Sequence, residues 1–123
     1  MKKQQSYNHL GNELIHELRN NINNSEGPVD ISNHFSYTTS KLLQAVFDGS
    51  DVKIAKDSVV FAPNSDNYFK LNNGLADNKV FWEVWENSDL PAVVSKFAEA
   101  SYHRYLHHNK HQEKTNKKIR NGN

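Results

Sequence analysis

The 123-residue chain contains no cysteine. Disulfides, thiolate zinc sites and cysteine nucleophiles are excluded together, and stability has to come from packing alone. Proline and glycine are sparse, at three and five residues, and no apolar run approaches the ~20 residues that a membrane-spanning helix needs. Net charge is scarce as well: 15 Lys and Arg against 14 Asp and Glu leave +1, so the chain as a whole is neither a polyanion mimic nor a polycation. The opening Met1-Lys2-Lys3-Gln4-Gln5-Ser6 leads into an amphipathic segment and not into the apolar core of a signal peptide. A cytoplasmic protein with no membrane partner is the expectation.

Hydrophobic residues make up 36% of the chain, and two Trp, five Tyr and six Phe suffice to fill one modest core. The near-neutral total hides an asymmetry. Residues 101–123 hold six basic side chains against the single acid Glu113, a net +5, whereas residues 4–100 hold seven basic and thirteen acidic, a net −6. Seventeen Asn and twelve Lys against three Arg is the usage of an AT-rich coding sequence, which favours an accessory protein of phage or mobile-element type. The division expected is one domain over residues 1–109 and a basic, flexible tail over 110–123.

Tyr7, Leu10, Leu14, Leu18 and Ile22 recur at spacings of three and four, which predicts a helix from about Ser6 to Asn23. A second helix fits about Ser32 to Asp48, with Phe35, Thr39, Leu42, Leu43 and Val46 inward and Gly49 ending it. Beyond Gly49 the apolar period turns to alternation, the signature of strands. Val52–Ala55 reads as a short strand, Ser58–Ala62 as a firmer one, and Tyr68–Leu71 as the next after a Pro63-Asn64-Ser65-Asp66 turn. Lys79–Glu86 reads as the strongest strand, with Val80, Trp82 and Val84 on one face and Phe81, Glu83 and Trp85 on the other. Ser88-Asp89-Leu90-Pro91 starts a last helix that runs to about His108. The fold expected is α+β: a small three-stranded antiparallel β-meander packed by helices, in the order α-α-β-β-β-α.

Three histidine patterns bear on chemistry. The string His16-Glu17-Leu18-Arg19-Asn20 resembles the phosphoacceptor box of sensor histidine kinases, and the resemblance implies His16 as phosphoacceptor with Glu17 assisting phosphoryl transfer. It covers about seven residues, has Asn21 where that family usually has proline, and is followed by nothing that resembles an ATP-binding domain. His9, Glu13 and His16, at i, i+4 and i+7, could offer ligands to a metal, as could His103, His107 and His111 at i, i+4 and i+8. Ligands from one exposed helix make a weak site, so solvated helix surface is the simpler account, and no metal or cofactor is assigned. No glycine-rich phosphate loop, nucleophile elbow or paired-acid motif occurs. The sequence therefore favours a non-catalytic protein.

Arg104, Lys110, Lys114, Lys117, Lys118 and Arg120 could neutralise phosphates and give salt-sensitive nucleic-acid binding. The element order from Phe35 to His108 resembles that of double-stranded-RNA-binding domains. Asp89-Leu90-Pro91-Ala92 stands where that family carries its lysine cluster, however, and would repel phosphate. The leading expectation is a small binding module, of the inhibitor, immunity or accessory kind, that occupies the surface of a protein partner. Trp82, Trp85, Glu83 and Tyr68 are its candidate contacts, because tryptophan and tyrosine serve most often as binding anchors. Nucleic-acid binding through the basic end is the alternative, and a homodimer through the sheet or the first helix would meet the same constraints.

Overall fold

The computed structural model describes residues 6–72 and 74–121, with side chains as far as His108. Its first element, α1 (Asn8–Asn23), buries the predicted stripe of Leu14, Leu18 and Ile22 together with Ile15. Gly11 also lies on this face, and a Cβ there would come within 2.6 Å of Val93 Cγ1 in the last helix. The absence of a side chain thus lets two helices approach closely.

The second helix, α2 (Pro28–Val46), starts a turn earlier than the sequence suggests, because Pro28 occupies the first helical position, where a missing N–H costs nothing. Ile31, Phe35, Leu42 and Leu43 face the core. Thr38 and Thr39 are fully buried, and among the described residues neither hydroxyl has a hydrogen-bond partner. A buried hydroxyl without a partner costs about 1–3 kcal/mol in lost hydration. Thr38→Val keeps the branched shape and removes that loss, so it is expected to raise stability by about 1 kcal/mol. A chemical-denaturation midpoint that falls on this substitution would show that the hydroxyl is satisfied after all.

The sheet has two strands among the described residues. β1 (Val59–Phe61) pairs antiparallel with β2 (Phe69–Leu71) in the register Val59↔Leu71, Val60↔Lys70, Phe61↔Phe69. The expected three-stranded meander is therefore incorrect in two places. Val52–Ala55 is an irregular segment: Val52 is buried, but Ala55 N–H donates to Ser58 Oγ and not to a neighbouring strand. Lys79–Glu86 is a helix, α3, preceded by a single 3-10 turn over Leu75–Asp77.

Two physical causes make the second segment helical. Asn78 caps it, its side-chain oxygen accepting from Phe81 N–H at 3.0 Å. Phe81 and Trp85, four residues apart, then share one helix face, with ring centroids 5.3 Å from each other. Phe47 meets Phe81 at 5.4 Å and Phe69 meets Trp85 at 6.1 Å.

The last helix, α4 (Leu90–Asn121), carries Pro91 in its first turn and sends Leu90, Val93, Val94, Phe97 and Ala98 into the core. At 1.5 Å per residue its 32 residues span about 48 Å. The observed order is α-α-β-β-α-α, an α+β fold of four helices and one hairpin among the described residues. α1, α2 and α4 pack against one another, and the hairpin lies on α2 and α4 through Phe61, whose ring meets Phe35 at 5.9 Å and Tyr105 at 5.8 Å.

Candidate partner-binding surface

Helix α3 has one packed side and one open side. Phe81 is fully buried, and Val84 and Trp85 lean on the core, which fixes the orientation of the remaining residues. Val80 (47% exposed) and Trp82 (38% exposed) flank that packed face on opposite sides, and Glu83 and Glu86 are exposed facing away from it. The Trp82 indole N–H donates to Glu86 Oε1 at 2.6 Å, so the ring is held by a charge-assisted bond within its own helix. Trp82, Glu83 and Glu86 line a shallow cleft of about 330 Å³ together with Asp77, Lys79 and neighbouring Asn78 and Asn87. Three carboxylates against one ammonium make the cleft acidic.

The four expected contact residues do not form one patch. Trp82 and Glu83 share the open side of α3, whereas Trp85 turns inward between Phe81 and Phe69. Tyr68 sits at the end of the hairpin loop and stacks on Tyr102 of α4, with centroids 3.9 Å apart and planes 5° from parallel. Its backbone is left-handed, φ +67°, a conformation that disfavours a bulky side chain. Asp77, Val80 and Glu86 are not among the expected contacts: the alternating period over Lys79–Glu86 conceals the helical face, and Asp77 lies in the 3-10 turn before it. The signal that could have located them is Asn78 placed three residues before Phe81, with an aromatic pair at i and i+4 behind it.

The remaining candidates lie elsewhere. His9 and Glu13 pair at 3.4 Å on the solvent side of α1, and His16 is exposed on the same helix. Both oxygens of Glu17, the implied phosphotransfer helper, accept from Lys41 Nζ of α2 at 2.9 and 3.0 Å. That hydrogen bond, more than any other influence, holds the Lys41 ammonium above its ordinary range. Among the described residues, no group of three His, Cys, Asp or Glu side chains is arranged to hold a metal. His103 and His107 are exposed on α4, and Arg104 beside them donates from Nη2 to the Asn23 carbonyl oxygen at 3.1 Å. Lys110, His111, Lys114, Lys117, Lys118 and Arg120 belong to the backbone of α4, but their side chains lie outside the described residues.

No helix among the described residues is long and apolar enough to cross a membrane. In comparison with known proteins, the chain matches no family model, no curated protein and no solved structure.

Proposed function

We propose that this protein is a non-catalytic binding module that acts by occupying the surface of a protein partner, with the open side of α3 as its anchor. The observation that carries the reading is Trp82: a large aromatic ring, 38% exposed, held by Glu86 at the edge of an acidic cleft. A pinned ring loses little conformational freedom on binding, which is the condition under which an aromatic side chain contributes most. The carboxylates of Asp77, Glu83 and Glu86 surround it, so the complementary partner presents a basic patch with an apolar centre.

The test begins with purification of the full chain from its native host and reconstitution of any stoichiometric partner from pure components. Trp82→Ala is expected to weaken that complex by about 10- to 100-fold, the range of an aromatic anchor, while the thermal midpoint of the free protein stays unchanged. Glu86→Gln should weaken it less and flatten its salt dependence. Undiminished affinity in Trp82→Ala would remove α3 as the anchor.

A further inference from the structure

A second surface lies on α4, where that helix runs beside α1. Arg19 of α1 and Lys96, His103, Arg104 and His107 of α4 border an open groove of about 530 Å³, in which Glu99 is the one carboxylate. Arg104 is its fixed point. The bond from its Nη2 to the Asn23 carbonyl sets a cation at the C-terminal end of α1, where the helix dipole is negative and favours it. Among the described residues neither Arg19 nor Lys96 nor Arg104 is neutralised by a carboxylate, since the ion pairs there are His9–Glu13 and Lys41–Glu17. The buried Nε of Arg104 has no hydrogen-bond partner either. Unneutralised cations drawn from two helices to one groove raise the local positive potential even though the body of the chain is acidic overall.

The groove also has a direction. At about 100° per residue, positions 110, 114, 117 and 118 of α4 fall within about 60° of the line through position 103, and lysine occupies all four. Glu113 falls off the line by about 80°, Glu99 lies within about 40° of it, and Arg104 reaches the groove from about 100° to one side. From position 96 to position 118 the line is about 33 Å long at 1.5 Å per residue. A small anion would occupy one end of it, whereas a ligand carrying charge at regular intervals can use its whole length.

We infer that this face binds nucleic acid along its phosphate backbone, without sequence readout, as a function separate from the α3 surface. Affinity then comes mainly from counterion release. Arg19 and Arg104 position the strand at the α1 end of the groove.

Fluorescence anisotropy of the full chain with labelled RNA, DNA and duplex DNA of about 20 nucleotides or base pairs tests this. Binding is expected to weaken by about 10-fold or more between about 50 and about 200 mM salt. Arg19→Glu with Lys96→Glu, both exposed positions, should cost at least about 10-fold and lower the logarithmic salt slope by about 2. Lys53→Glu with Lys56→Glu, exposed in the irregular segment before β1, serves as an equal charge change elsewhere and should cost far less. Equal losses from the two double variants, or no binding at the lower salt, would overturn the inference. Competition by polyglutamate of similar length as strong as by the oligonucleotide would also overturn it, since the face would then be selecting charge alone.

Discussion

Phe81→Ala is expected to destabilise the protein by about 3–5 kcal/mol, the cost of emptying a fully packed aromatic position, whereas Trp82→Ala, one residue on, should cost less than about 1 kcal/mol. The asymmetry follows from α3 being a helix. Phe81 is 0% exposed and its ring meets both Phe47 and Trp85, while Trp82 projects into solvent with its indole bonded only within the helix. Urea unfolding followed by circular dichroism gives both numbers. Similar losses for the two variants would mean that both faces of the segment are packed, as in a central strand, and would remove the exposed ring on which the proposed function depends.

Asp89→Ala should produce the next largest loss, about 2 kcal/mol. One carboxylate here fastens the starts of two helices: Asp89 Oδ1 accepts from Tyr7 N–H at 2.7 Å, and Oδ2 accepts from Ser6 Oγ at 2.8 Å, while Asp89 itself immediately precedes α4. Hydrogen bonds to a charged acceptor contribute about 1.5–3 kcal/mol, and a negative charge near a helix N-terminus adds some tenths more. Partial exposure of the site keeps the sum toward the lower figure. The Tyr7 phenol is held above its ordinary range by burial, with the Asp89 charge adding to the effect. The folded state therefore prefers the neutral phenol. The stability this contributes is present below the phenol's unfolded value of 10.0 and is lost as pH rises through its higher folded value. Asp89→Asn should retain part of the hydrogen bonding and lose the charge, so its stability should fall between wild type and Asp89→Ala. If Asp89→Ala unfolds at the wild-type denaturant midpoint, the fastening contributes nothing.

The protein surface divides by charge in a way that the composition conceals. Acidic residues surround Trp82 on α3, and cations gather where α4 meets α1. A formal charge of +1 is the residue of two opposed fields and not the mark of a neutral surface. The acidic body read from residues 4–100 contains Arg19 and Lys96, which tertiary packing brings beside Arg104 and so joins to the basic end of the chain.

Local pattern was sufficient where one period ruled over several turns. Leu14, Ile15, Leu18 and Ile22, or Leu90, Val94 and Phe97, mix odd and even positions and so can be buried together only on a helix, and Pro63–Asp66 with Asn72 bounds strands too short for anything but a hairpin. Lys79–Glu86 was not decidable in that way, because eight residues rich in valine and aromatics satisfy both a two-residue and a 3.6-residue period. The Asn78 cap and contacts remote in sequence together decide for helix: Phe47 and Phe69 receive Phe81 and Trp85, whose centroids lie 5.3 Å apart, whereas a strand would set these residues about 13 Å apart. The groove was hidden for a related reason. Arg19 and Arg104 are 85 positions apart in the chain, and only the close approach of α1 to α4, which Gly11 permits at Val93, sets them along one surface.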